Sequence, residues 1–287
     1  MKKKALKLIM SGLVVAMMGG VLAGCGGSSD DASTGSAGSS DKKVTIAVSG
    51  STSVGRPLME KVAQAYEAKN ENVSIEINQV GSSAGIKDTI NGVAEIGMSS
   101  RDLKDEEKSN GVEGTTIAYD GIAVITNTEN KVTNLTLEQL KDIYTGKVTN
   151  WKEVGGEDGE IVVVSREDGS GTRDAFQEIV DYKSEELVAN ATIADGSGNI
   201  KTTVSGNKNA IGFVSFSYVD DTINALQLEG VEPTEELAKS GEYKLSRPFL
   251  LVTKEDTLTE DGQKFIDYIL SDEGQNIVAE DKLIKVN

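Results

Sequence analysis

The spacing of apolar residues along this chain switches repeatedly between the two-residue period of a strand and the longer period of a helix. Val44–Val48 and Val73–Val80 have the pattern of strands, and Pro57–Lys69 between them has that of a helix. Thr259–Ala279 predicts two more helices near the C-terminus. Because strands and helices alternate in this way, the sequence predicts an α/β fold with mainly parallel sheets.

The remaining elements continue this alternation and suggest how the chain divides. Strands are predicted at 95–98, 115–126, 161–165, 210–217 and 248–253, and helices at 84–91, 137–144 and 172–180. This order is compatible with two α/β lobes, the first formed by residues 44–125 and 248–287 and the second by residues 126–247. Tyr66, Tyr119 and Trp151 are interpreted as core residues rather than cleft residues.

The N-terminal residues predict export and attachment to a membrane. Four lysines precede a short apolar stretch, Leu8–Val21, so residues 1–24 have the form of a secretory signal peptide. Small residues directly before Cys25 match a bacterial lipoprotein cleavage box, and Cys25 is predicted to carry the lipid; the alternative is ordinary cleavage beside an incidental cysteine. Residues 25–43 are rich in Gly, Ser and Asp and predict a flexible tether.

The composition excludes several classes of protein. The sequence carries a net charge of −17, and removal of residues 1–24 with their four lysines makes it −21. Nucleic acid is not an expected partner, because its phosphates need a basic surface. The sequence has no histidine and one cysteine, which excludes a Ser-His-Asp triad, a His/Cys zinc site and an intrachain disulfide. No metal or cofactor is expected, although an Asp/Glu metal site stays open as an alternative to a solvated acidic surface.

Three short turns carry candidate binding chemistry. Ser49–Ser53, Gly81–Gly85 and Arg166–Thr172 are rich in glycine and hydroxyl residues, and each lies between a predicted strand and a predicted helix. The start of a helix offers unpaired N–H groups and a partial positive charge, which suit an anion. Each turn alone is better explained as a simple connection, but the three together predict a site for one small oxyanion.

The arginines are concentrated at these turns. Arg56, Arg101, Arg166 and Arg173, four of the five arginines, lie in or just after a Gly/Ser turn or the Met98–Ser100 turn. A planar guanidinium can bind an oxyanion with two parallel hydrogen bonds, which a lysine cannot do. Asp168, two residues from Arg166, is predicted to hold this guanidinium in one rotamer. A P-loop is excluded, because its motif is absent from the sequence.

With these turns in view, the chain closely resembles the phosphate-binding lipoproteins of bacterial ABC importers, the PstS family. The resemblance covers essentially all of residues 44–287, and its most specific element is the Arg-x-Asp-Gly-Ser-Gly-Thr run at 166–172. The other matching stretches are 49–53, 81–85, 96–101, 137–146, 150–151 and 209–214. The resemblance implies a type II periplasmic-binding-protein fold, in which two α/β lobes are joined by a hinge and the ligand lies in the cleft.

The resemblance also implies which residues contact phosphate. By position they are Ser51, Thr52, Ser53, Ser82, Ser100, Arg166, Ser170, Gly171 and Thr172, with Asp168, Arg101 and Asp120 as supporting residues. Ser100 stands where well-known family members carry an aspartate, which accepts the proton of HPO₄²⁻ and helps to reject sulfate. A serine hydroxyl can also accept a hydrogen bond, and Asp120 is a second candidate acceptor. Arg101 is expected either to bind the ligand or to pair with nearby acids.

The function implied by the resemblance is capture and handover of inorganic phosphate. A monomeric receptor, held by the lipid on Cys25 at the extracytoplasmic face of the cell membrane, would close around phosphate and deliver it to the permease of an ABC importer. It is not expected to be an enzyme. The alternatives are a receptor for sulfate, molybdate or tungstate, a hydrolase that uses Gly169–Gly171, and a structural surface lipoprotein.

Overall fold

The computed structural model describes residues 43–287, so the predicted signal peptide, Cys25 and the predicted tether up to residue 42 lie outside the described residues. The strands are β1 (Val44–Gly50), β2 (Val73–Gln79), β3 (Ile96–Ser99), β4 (Val112–Asn127), β5 (Asn134–Leu135), β6 (Val162–Arg166), β7 (Thr192–Ala194), β8 (Ala210–Ser215), β9 (Ile223–Ala225), β10 (Gln227–Leu228) and β11 (Ser246–Lys254).

The helices alternate with these strands. They are α1 (Thr52–Val54), α2 (Glu60–Glu67), α3 (Ser82–Ile90), α4 (Asp105–Lys108), α5 (Leu137–Tyr144), α6 (Gly171–Val180), α7 (Gly196–Ser205), α8 (Glu235–Ser240), α9 (Glu260–Leu270) and α10 (Asp272–Glu280). Gly55–Met59 joins α1 to α2 and contains a kink at Arg56, where the backbone is not helical. Within residues 43–287, no helix combines the length and apolar character needed to cross a membrane.

One nine-stranded sheet runs through the described residues. Its order is β2-β1-β3-β11-β4-β8-β6-β7, and β9 pairs with β4. The outer pairs are parallel, as predicted, but β4 and β11 are antiparallel to each other and to their other neighbours. The sheet is therefore mixed, because two long antiparallel strands, β4 and β11, form its middle.

The buried apolar residues form two main clusters on either side of this middle. Core A contains residues of the ranges 46–118 and 249–283, and core B contains residues of the range 122–245 together with Ile284. Strands β4 and β11 both pass from one cluster to the other, at 118–122 and at 245–249. On β4 the change from core A to core B, at 118–122, lies before the predicted lobe boundary at residue 125. The division into two lobes stays a prediction.

Local sequence signals explain where several helices begin. Thr136 accepts a hydrogen bond from the backbone of Gln139, and the Gln139 side chain accepts one from the backbone of Thr136, so the predicted capping box starts α5. The helix predicted from Pro57 is preceded by the short helix α1, which begins at Thr52 because Ser51 is its N-cap and accepts from the backbone N–H of Val54. A kink at Arg56, where the backbone is not helical, separates the two. Strand β1 thus leads directly into a helix.

Candidate functional site

The first Gly/Ser turn lies between β1 and α1 and is tightly packed. Gly50 ends β1 with a φ of 145°, and a Cβ at this position would lie 2.2 Å from the carbonyl oxygen of Met98 on β3. The backbone N–H of Ser51 donates to the same oxygen over 2.9 Å. Only glycine fits this conformation and this close approach, and the result is a fixed position for Ser51, Thr52 and Ser53.

Three serines from separate segments of the chain meet beside this turn. Ser51 Oγ donates to Ser100 Oγ over 3.0 Å, and Ser82 Oγ lies 3.3 Å from Ser100 Oγ. Ser82 Oγ also accepts from the backbone N–H of Ser100 over 3.1 Å. All three serines are buried, so the ends of β1 and β3 and the start of α3 form one group of hydroxyls.

The turn before α6 closes against the same hydroxyls. Ser170 caps α6 by accepting from the backbone of Arg173, and Thr172 Oγ1 lies 3.0 Å from Ser53 Oγ. A Cβ on Gly171 would lie 2.3 Å from Ser82 Oγ and 2.8 Å from Ser100 Oγ. Glycine at 171 is therefore what allows α6 to approach this closely.

Arg166 is the charged member of the group. It ends β6, and its side chain is only 2% exposed. Its Nη1 donates to Ser197 Oγ and its Nη2 to Thr52 Oγ1, both over 3.2 Å. The structure thus brings together eight of the nine residues predicted to bind the ligand in one hydrogen-bonded or closely packed group, and the ninth, Ser170, lies directly before Gly171 as the cap of α6.

The carboxylate that holds Arg166 is that of Glu167, so the predicted role of Asp168 is corrected. Glu167 accepts from Arg166 Nε over 2.7 Å and from Nη2 over 2.6 Å. Asp168 accepts instead from Arg173 Nη1 over 2.6 Å, and its side chain is 94% exposed. The chain turns at Gly169, with a φ of 83°, and Asp168 lies on the outer side of this turn.

Ser197 belongs to the group but was not predicted. It lies at the start of α7, is buried, and its Oγ is 2.9 Å from Ser53 Oγ. A signal was present in the sequence, because Asp195–Gly198 repeats the Asp-Gly-Ser-Gly run of Asp168–Gly171. This second run also follows a strand and begins a helix, so the site has a fourth turn of the same type.

The two remaining supporting residues pair with charged partners. Arg101 donates to both carboxylate oxygens of Glu107 over 2.8 and 2.9 Å and to Asp174 over 2.9 Å, so it forms the ion pairs that were one of its two expected roles. Asp120 is fully buried; its Oδ2 accepts from Arg247 and its Oδ1 from the hydroxyl of Ser215. The hydrogen bonds of the Asp120 carboxylate thus go to residues outside the serine group.

Glu167 and Asp120 differ in their electrostatic surroundings. Burial by itself would raise the pKa of Glu167, but hydrogen bonds from Arg166, the charge of Arg166 and the N–H of Gly196 hold this pKa below its ordinary value. For Asp120, removal from water outweighs the attraction of Arg247, and the pKa is raised. Glu167 is therefore firmly ionised beside Arg166.

The arrangement is suited to binding an anion. Hydroxyls can donate as well as accept, and the helices α1, α3, α6 and α7 all begin at or beside residues of this group. The start of a helix carries unpaired N–H groups and a partial positive charge. Arg166 adds a buried guanidinium. Among residues 43–287, no group of three or more His, Cys, Asp or Glu side chains is placed to hold a metal ion.

The fold and this site define a solute-binding protein, and comparisons with known proteins agree. The profile of the PBP (periplasmic-binding-protein) superfamily domain matches residues 32–273. A phosphate-binding protein PstS from Borreliella burgdorferi is 30% identical over 250 residues, which are 84% of this chain and 89% of that protein.

Two solved structures are also similar. One, from Clostridium perfringens, is described as a phosphate ABC transporter substrate-binding protein with bound phosphate; it is 64% identical, with a TM-score of 0.83, and the match covers 85% of this chain and 100% of that one. The other, an ABC-type phosphate transport receptor from Vibrio cholerae, is 38% identical with a TM-score of 0.72, over 84% and 99% of the two chains. The chain belongs to the PBP superfamily and, within it, to the PstS family of phosphate-binding proteins.

Proposed function

We propose that this protein is an extracytoplasmic receptor that binds inorganic phosphate and delivers it to the permease of an ABC importer. The observation that carries the proposal is the group of hydroxyls, most of them buried, that the fold brings together with Arg166. Ser51 and Ser100, Ser53 and Thr172, and Thr52 and Arg166 are joined by hydrogen bonds although each pair is far apart in sequence. A phosphate ion has several strong acceptor oxygens, which such a group can match with donors.

This geometry supports the proposed ligand contacts. Ser51, Thr52, Ser53, Ser82 and Ser100 would donate from the side of core A, and Arg166, Ser170, Gly171 and Thr172 from the side of core B. These groups supply many donors with little net charge, because the charge of Arg166 is balanced by Glu167. The attraction of the ligand to nearby donors in a buried site is stronger than its repulsion by the acidic surface, because salt screens the surface charges.

Closure around the ligand is the proposed response to binding. Core A and core B would act as two lobes, with β4 and β11 as the hinge. The backbone of Ser83 donates to the carbonyl oxygen of Gly169 over 3.1 Å, and Tyr218 donates to that of Thr52, so the two sides also touch outside the hydroxyl group. A ligand that is contacted from both sides favours the closed form, because only this form makes all the contacts.

Attachment and partners complete the proposal. Cys25 would carry the lipid and residues 26–43 would serve as the tether, which keeps a monomeric receptor near the permease at the membrane. Catalysis is not proposed: the sequence contains no histidine, so Ser170 has no imidazole base of the kind that activates a serine nucleophile.

The test is calorimetric titration of the purified chain, stripped of bound ligand, with phosphate and then with sulfate. We expect phosphate binding that Arg166→Ala abolishes. Arg56→Ala is the matched control, because Arg56 is an exposed arginine paired with Glu60 at the surface, and it should bind as the unchanged protein does. Absence of binding to any oxyanion would refute the proposal and favour a structural surface lipoprotein.

A receptor for another oxyanion is the second candidate. It is favoured by Ser100, since the hydroxyl group at this position has no fixed negative charge that would repel a fully deprotonated ion such as sulfate. Tighter binding of sulfate than of phosphate in this titration, or of molybdate titrated in the same way, would replace phosphate as the ligand and leave the receptor function in place.

A further inference from the structure

Four of the five N–H donors of Arg166 lie in pairs on two edges of the guanidinium. The edge formed by Nε and Nη2 faces Glu167 Oε2 and Oε1, with distances of 2.7 and 2.6 Å. Two parallel, charge-assisted hydrogen bonds fix the plane of the group as well as its position. Because Glu167 is the next residue in the chain, this edge is turned back toward the backbone of the turn.

The other edge is turned toward the hydroxyls. Nη1 donates to Ser197 Oγ and the second donor of Nη2 to Thr52 Oγ1, each over 3.2 Å. These distances are at the long end of the hydrogen-bond range, whereas those to Glu167 are at the short end. The edge among the hydroxyls is thus the one that an oxyanion would contact, and Glu167 occupies the adjacent edge, which shares Nη2 with it.

Glu167 is itself held in place. Its Oε2 also accepts from the backbone N–H of Gly196 over 3.1 Å, at the start of α7. Gly196 has a φ of 76°, a conformation that glycine adopts readily. The carboxylate therefore joins the end of β6 to the start of α7, and its side chain is only 21% exposed.

We propose that Glu167 is a positioning residue of the anion site, which turns the Nη1/Nη2 edge of Arg166 toward the ligand and ties it to the turn that carries Ser197. The inference rests on the proposed oxyanion-binding function. Glu167 acts through Arg166 and does not contact the ligand.

Attraction of the ligand cannot be the role of Glu167, because a carboxylate near a dianion is electrostatically unfavourable. Its contribution is geometric: a long arginine side chain loses considerable rotamer entropy when it is fixed, and Glu167 fixes it before the ligand arrives. Preorganised donors bind more tightly than donors that must be ordered during binding.

Two adjacent acids give a matched pair of variants. Glu167→Gln keeps the size of the side chain but removes the charge and one acceptor, and we expect the Kd for phosphate to rise about tenfold. Asp168→Asn makes the same chemical change one residue later, where the partner is Arg173 and the side chain is exposed. It should change the Kd within about twofold. Equal effects of the two variants, or tighter binding by Glu167→Gln, would overturn the proposal.

A double-mutant cycle separates positioning from a general structural effect. In the Arg166→Lys background the guanidinium edge is absent, so Glu167→Gln should have little further effect on the Kd; additive effects would contradict the proposal. If Glu167→Gln does not fold, Glu167→Asp replaces it, because it keeps the charge but is one methylene too short to span both donors, and it should also weaken binding. Phosphate binding by the unchanged protein is measured alongside, and its failure would refute the proposed function instead.

Discussion

Asp120 and Arg247 are register partners on β4 and β11 and form a fully buried ion pair, with 2.9 Å between Asp120 Oδ2 and Arg247 Nη2. The pair lies where both strands pass between the two cores, since Ala118 belongs to core A and Ile122 to core B. Arg247 Nη1 also donates to the carbonyl oxygen of Ser100 over 3.2 Å. One ion pair therefore joins the proposed hinge to the serine group.

Asp120→Asn should strongly destabilise the fold. The substitution leaves Arg247 buried without its counter-charge, which costs about 3–5 kcal/mol in the free energy of unfolding. Urea unfolding of the variant and of the unchanged protein measures this difference. Asp261→Asn is the control, because Asp261 pairs with Lys264 at the surface and should cost no more than about 1 kcal/mol. Similar losses for the two variants would contradict the argument.

Gly171→Ala should impair ligand binding through added volume. A Cβ at this position would lie 2.3 Å from Ser82 Oγ, so α6 must move away from the serines. Overpacking of this kind costs about 1–3 kcal/mol, which corresponds to a Kd for phosphate that is about 5- to 150-fold higher. Calorimetric titration provides the measurement. Gly198→Ala is the control, because a Cβ there has no atom within 4 Å, and equal Kd values for the two variants would refute the steric explanation.

The sequence predicted most of the fold because its signals are local. The capping box at Thr136 and the apolar spacing of a helix act over a few residues, and the helices predicted at 137–144 and 172–180 lie at Leu137–Tyr144 and Gly171–Val180. α7 and β7 were not predicted, since β7 has three residues and α7 begins with two glycines and has few apolar positions. Antiparallel pairing of β4 and β11 depends on contacts between distant segments, which spacing does not reveal.

The predicted site residues came from the composition of the turns together with the resemblance to the PstS family, and neither source indicates which hydrogen-bond partners these residues have. Glu167 and Asp168 are both close enough to Arg166 in sequence to pair with it, and only the turn at Gly169 decides which one does. Ser197 could have been found from the repeated Asp-Gly-Ser-Gly run. Sequence spacing thus indicates the chemistry of a turn, while the direction of each side chain depends on the backbone.

Ser100→Asp should increase the preference for phosphate over sulfate. A carboxylate among the hydroxyls accepts the proton of HPO₄²⁻ but repels sulfate, which has no proton to donate. We expect the ratio of the two Kd values to rise at least about tenfold, measured by competition titration near neutral pH. Ser100→Asn, of similar size but uncharged, should leave the ratio within about threefold. A rise of the same size in both variants would show that volume, not charge, sets the preference.

Asp174→Asn should accelerate release of the ligand. Asp174 on α6 accepts from Arg101 Nε over 2.9 Å, so it links the core B side of the site to the turn after β3. The pair is partly exposed, and its loss should cost about 1 kcal/mol, seen as dissociation about fivefold faster in stopped-flow measurements. Glu178→Gln, an exposed acid on the same helix, should release phosphate at the unchanged rate; a higher rate there too would point to the overall charge of α6.

Glu107 should make the stability of the fold depend on pH in the acidic range. Burial alone would raise its pKa, but hydrogen bonds from Arg101 and the backbone of Lys104, with the charge of Arg101, hold the pKa below the ordinary value of 4.5. A carboxylate with a lowered pKa in the folded state stabilises the fold above the unfolded value, and this contribution is lost as the pH falls through the lowered pKa.

The measurement compares urea unfolding of the unchanged protein and of Glu107→Gln from about pH 7 to about pH 3. Near neutral pH the variant should be less stable by on the order of 1–3 kcal/mol, because Arg101 loses a charged partner with two hydrogen bonds. Below pH 4.5 the difference should shrink, since protonation removes the same interaction from the unchanged protein. Glu106→Gln, an exposed neighbour on α4, controls for the loss of one surface charge. A Glu107→Gln difference that stays constant over the whole range would show that shape rather than ionisation of Glu107 stabilises this turn.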